Sequence, residues 1–141
     1  MHHKPTAGRE PRAIGGWLLV LCLGLLFWEP LNLGLAGANA LAAISVRGLP
    51  VAVMLLVRVA VAALGIGAGL SLLARRGPAV ALAKASLVIS AATHMFVALT
   101  PYFPSQRRPG DLPIDVAATV VVYGAWFAYL HRSKRVRDTY A

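Results

Sequence analysis

Four ionisable side chains stand at or inside long apolar runs of this sequence: Glu29, Arg58, His94 and Asp115. A charge near the centre of a membrane helix costs about 2.5–3.5 kcal/mol on insertion scales, so side chains kept there pair, line a water-filled path or bind something. Counting along the runs at about 1.5 Å per residue places Glu29, Arg58 and His94 in the outer half of a bilayer. Asp115 then falls in the first turn of the last run. The expectation is a polar network in which Glu29 and Arg58 form an ion pair and His94 and Asp115 stand close enough to join. An ion pair that holds helices in register accounts for these residues more simply than a proton or substrate path. Asp115 is favoured at a helix N-terminus by the helix dipole.

Other chemistry is hard to assemble from this sequence. No nucleophile–base pair, phosphate-binding loop or zinc spacing is present, and Glu29 and Asp115 are the only carboxylates near the apolar runs, so an enzyme is not expected. Cys22 is the single cysteine, which rules out an intramolecular disulfide. His94 would need a second subunit to share a haem or pigment, and His131 falls at the opposite interface, so neither metal nor cofactor is expected. Gly65, Gly67 and Gly69 do not make a dinucleotide fingerprint, because no strand precedes them. Gly65 and Gly69 instead form a G-x-x-x-G pair that lets helices approach closely.

The elements that carry these residues follow from composition. The 141 residues are 58% apolar and 13% charged, against roughly 45–50% and 25% in soluble domains. A soluble fold of this length has too little interior to hide that surface. Crossing about 30 Å of hydrocarbon takes about 20 apolar residues as helix, and four segments qualify, at about 14–35, 49–74, 79–100 and 112–131. Pro30 lies in the first and is expected to kink or end it. Gly77-Pro78 and the proline-rich stretch from Pro101 to Pro113 punctuate later joins. An A-x-A site at Ala38-Asn39-Ala40 lies too far past the continuous apolar run to mark signal-peptide cleavage. The fold expected is all-α, an integral membrane four-helix bundle flanked by basic tails at 1–13 and 132–141.

Lysine and arginine placement orients it. Lys4, Arg9, Arg12, Arg75, Arg76, Lys84, Arg132, Lys134, Arg135 and Arg137 flank one side, against Arg47, Arg107 and Arg108 on the other. This predicts both termini on the cytoplasmic side. Trp17, Trp126 and Tyr129 are then expected at the inner interface, and Trp28, Tyr102 and Phe103 at the outer. The formal charge of +9 gathers at the tails, which suits anionic lipid headgroups rather than nucleic acid. Ser86, Ser90 and Thr93 are expected to bond to their own helix, as small hydroxyls in membrane spans do.

The two ends carry a resemblance. Ile14-Gly15-Gly16-Trp17-Leu18 opens the first span, and Tyr129-Leu130, Ser133-Lys134-Arg135-Val136 and Thr139-Tyr140 close the chain. This is similar to the YdgK-like bacterial inner-membrane proteins (domain of unknown function 2569), with Tyr140 where phenylalanine is expected. The likeness extends in layout over residues 13 to 140, with specific motifs at the ends only. It implies a four-span bacterial inner-membrane protein and supplies no catalytic residues. It also implies that Gly15, Gly16 and Trp17 form one interfacial unit with Ser133, Lys134 and Arg135, the tail packing against the first helix. The function expected is that of a non-enzymatic accessory, stabilising or assembly subunit, with other membrane subunits or its own copies as partners. A small oligomeric transporter or channel using the polar layer is the alternative.

Overall fold

The computed structural model describes residues 16–100, 108 and 110–140. Gly15, the basic residues of the N-terminal tail, Tyr102, Phe103 and Arg107 lie outside the described residues. Five helices follow in order: α1 (Trp17–Arg47), α2 (Leu49–Leu73), α3 (Ala79–Leu99), α4 (Leu112–Arg132) and the short α5 (Lys134–Tyr140). The first four are long and apolar enough to cross a membrane, and the chain is an all-α, multi-pass membrane four-helix bundle. At about 1.5 Å per residue, α3 and α4 are ~31 Å long, which matches the hydrocarbon thickness of ~30 Å.

The main departure from expectation is α1. It was expected to kink or stop at Pro30 and to give way to a join after Leu35, yet it runs unbroken for 31 residues to Arg47. Proline deprives the Leu26 carbonyl of its usual donor, but membrane helices tolerate this where neighbouring groups take over. Beyond it, A-G-A-N-A-L-A-A-I-S-V is rich in alanine, the strongest helix former. Asn39 is exposed, and Asn32 bonds its side-chain amide back to the Trp28 carbonyl at 2.9 Å. The stop comes at Gly48, whose φ of 71° and ψ of −146° belong to a region open in practice only to glycine. Pro50 then starts α2, where its missing N–H costs nothing. A single residue thus joins two antiparallel spans.

Each helix packs on the next in sequence, α1 on α2, α2 on α3 and α3 on α4. Gly65 and Gly69 face α1 at close range. A Cβ on Gly65 would meet the Leu25 carbonyl oxygen at 3.2 Å, and one on Gly69 would meet Leu26 Cγ at 3.0 Å and the Cys22 carbonyl oxygen at 3.2 Å. In lipid, helix association rests on this kind of contact rather than on a hydrophobic drive.

The packed core is lopsided. It comprises Leu18, Leu21, Cys22, Leu25, Ala68, Leu72, Ala79, Ala83, Leu87, Leu130 and Val136, all toward the end of the bundle where α1 begins and α2 and α4 end. Every buried residue of α1 precedes Pro30, and α4 buries only Leu130. The half of the bundle near the α1–α2 turn therefore exposes most of its apolar side chains, Leu35, Leu41, Val46, Leu49 and Leu56 among them.

Candidate functional site: a carboxylate in an open cleft

Glu29 is 7% exposed and is the one buried carboxylate among the described residues. It reaches this position because α1 turns it toward α3 and α4. The Tyr123 hydroxyl donates to Glu29 Oε1 at 3.0 Å, and His94 Nε2 lies 3.6 Å from the same oxygen. The His94 and Tyr123 rings stand 5.7 Å apart between centroids. Three helices therefore converge on one carboxylate oxygen. α2 closes the side behind it with Gly65, where a Cβ would come within 3.6 Å of both Glu29 Cγ and Ser86 Oγ. A larger residue there would fill the space that the Glu29 side chain uses.

Ser86, Ser90 and His94 repeat every four residues and so share one face of α3. Ser90 stands beside the Glu29 carboxylate, but its hydroxyl misses hydrogen-bond geometry, and both Ser86 Oγ and Ser90 Oγ are buried with no partner among the described residues. The expectation that they bond to their own helix is overturned for these two. It holds for Thr93, which donates to the Ile89 carbonyl at 2.8 Å. Thr93 lies on a different part of α3, where it lines an apolar depression with Ile89, Ala92 and Phe96.

The expected four-residue layer divides in two. Arg58 is not the partner of Glu29. It lines a cavity of about 50 Å³ with Ala36, Ala40, Val51, Met54, Leu55 and Val97, toward the α1–α2 turn. Asp115 sits in the first turn of α4, eight residues or about two turns before Tyr123. Ser90 and Tyr123 stand midway along helices of 21 residues each, and His94 lies one turn nearer the C-terminus of α3. Trp28 lies beside the site.

Between α1 and α4 the bundle opens into a cleft of about 290 Å³, lined by Val20, Leu21, Gly24, Leu25, Trp28, Glu29, Leu87, Val122, Tyr123 and Trp126. Tyr123 is the member of the site that sequence reasoning missed. Its signal was weak, an aromatic within an apolar run, and only the partner 94 residues away gives it a role. Among the described residues no three His, Cys, Asp or Glu side chains come together to hold a metal ion.

At the tail end, Ser133 ends α4 in an extended conformation and its Oγ accepts the Val136 N–H at 3.4 Å, the N-cap role for α5. This turns α5 under the bundle, where Val136 is buried in the core. A Cβ on Gly16, whose φ is +64°, would lie 3.1 Å from an Arg135 guanidinium nitrogen. The Trp17 and Trp126 rings lie 6.3 Å apart between centroids, tilted by 59°, and Lys134 is exposed. Lys84 turns the same way, with Nζ 3.4 Å from His131 Nδ1. The Tyr140 hydroxyl donates to the Leu72 carbonyl at 2.5 Å, in the last turn of α2. Burial pushes the Tyr140 phenol up to about 12.

Comparison with protein-family models, curated proteins and solved structures finds no match to this chain.

Proposed function

We propose that the chain is a non-enzymatic accessory or assembly subunit of a larger complex in a bacterial inner membrane, with both termini cytoplasmic. The observation that carries this reading is the second half of α1. Gly34, Ala38 and Ala42 form an exposed stripe at four-residue spacing on a stretch of helix that buries nothing, and a Cβ on Gly34 would meet no atom within 4 Å. Small residues spaced this way let a second helix approach until backbones touch, which is the main source of helix affinity in lipid. The lopsided core supports the same reading, because one half of the bundle is held by its own packing while the other offers surface.

The test is native mass spectrometry of the full chain purified in mild detergent from its own membrane. A defined stoichiometric partner is expected, lost when Gly34→Ile and Ala38→Ile are introduced. A lone monomer, or a partner indifferent to both substitutions, overturns the reading. Transport stands as a second reading, supported by the convergence of Glu29, His94 and Tyr123 inside the bundle, and liposome uptake assays test it.

A further inference from the structure

We propose that the α1–α4 cleft binds a lipophilic organic monocation, such as a quaternary ammonium or an aryl phosphonium, entering sideways from lipid with its charge held at Glu29. The walls exclude the competing ligand classes. An inorganic cation would need several oxygen ligands, whereas the cleft lining offers only the Glu29 carboxylate and the Tyr123 hydroxyl as side-chain oxygens. A neutral apolar ligand would leave a buried carboxylate unused, and an anion would be repelled by it. Trp28, Tyr123 and Trp126 supply aromatic faces around the opening, the surfaces that attract organic cations through their ring quadrupoles. A volume near 290 Å³ sits at the lower end of small-molecule sites, roughly 300 Å³ and up.

Charge complementarity favours a cation at this site. The groups facing Glu29 are His94 and Ser90 from α3, Tyr123 from α4 and Gly65 from α2. The fixed cation of α2, Arg58, lines a cavity toward the α1–α2 turn, and its charge is felt at the Tyr123 hydroxyl. A buried carboxylate in a membrane span is costly unless a positive charge offsets it, and a bound monocation supplies that charge. Both resting contacts fall on Oε1, which leaves the second oxygen for the ligand. Ser90 stands beside the carboxylate with its hydroxyl short of hydrogen-bond geometry, so it can turn to donate when a cation is bound.

The full chain in lipid nanodiscs, titrated with tetraphenylphosphonium, tests this without any partner subunit, so its failure is separate from failure of the subunit reading. Saturable binding is expected, with quenching of tryptophan emission. Binding should weaken as pH falls, because protons compete for the same charge. Glu29→Gln should weaken it about tenfold or more, the loss of a charge-assisted contact. Should that variant not fold, Trp126→Ala keeps the charge and should weaken binding and quenching while leaving the pH dependence of binding intact. Equal binding of the anion tetraphenylborate, binding independent of pH, or undiminished binding by Glu29→Gln overturns the proposal.

Discussion

Replacing Gly69 with alanine adds one methyl group at a close contact between α1 and α2. The new Cβ would stand 3.0 Å from Leu26 Cγ and 3.2 Å from the Cys22 carbonyl oxygen, where ordinary contact begins at 3.4 Å. The two helices must therefore separate by a few tenths of an ångström, because a helix carbonyl cannot step aside alone. Overpacking of this kind costs about 1–3 kcal/mol, while the gain in helix propensity from glycine to alanine is about 1 kcal/mol. Gly67, two residues away, meets nothing within 4 Å, so Gly67→Ala collects the propensity gain without the packing loss. The propensity effect cancels between the two variants, leaving Gly69→Ala about 1–3 kcal/mol less stable than Gly67→Ala. Unfolding in mixed micelles of mild detergent and dodecyl sulfate, followed by the helical circular dichroism signal, measures the difference. Equal stabilities for the two variants would falsify the claim that Gly69 is a helix–helix contact of this chain.

Gly48→Ala forces a side chain into the φ of 71° that joins α1 to α2 and should cost about 1–3 kcal/mol in the same unfolding assay, whereas Gly34→Ala should cost nothing. Gly16→Leu combines a φ of +64° with a Cβ 3.1 Å from Arg135, so thermal stability in detergent should drop; an unchanged midpoint argues against the docked tail. Tyr140→Phe removes the bond to the Leu72 carbonyl and should cost about 0.5–1.5 kcal/mol. The Tyr140 phenol is raised from an ordinary value near 10 to about 12, so the folded state holds its proton more tightly than the unfolded state does. The stability it contributes is complete below pH of about 10 and fades as pH climbs toward 12. Wild type should therefore lose its advantage over Tyr140→Phe across that window, and a constant difference would count against the buried hydrogen bond.

The fold was open to reading because length, apolarity and Gly/Pro punctuation act locally. α2, α3 and α4 lie within one residue of the apolar segments at 49–74, 79–100 and 112–131. The end of α1 was misread because Pro30 was weighed as it would be in water. The stronger signal, Arg47-Gly48-Leu49-Pro50, combines a basic last turn, a glycine stop and a proline start. Glu29 and His94 were visible as residues lipid should not hold, and they do meet. The partnership of Glu29 with Arg58 was not legible, since attraction of opposite charges says nothing of register. Arg58 instead lines a cavity toward the α1–α2 turn, near enough for its charge to act on Tyr123. Tyr123 and the unbonded Ser86 and Ser90 depend on three-helix convergence, which no periodicity along one helix encodes.

A photo-cross-linking amino acid placed at Ala38, on the open face of α1, tests most directly whether this chain is a docked subunit. Val121, equally lipid-facing on α4 and 66% exposed, is the matched control. Illumination of native membranes should give one discrete protein adduct from position 38 and none from position 121. Adducts to lipid alone at both sites, or the same protein adducts from each, would contradict the subunit account.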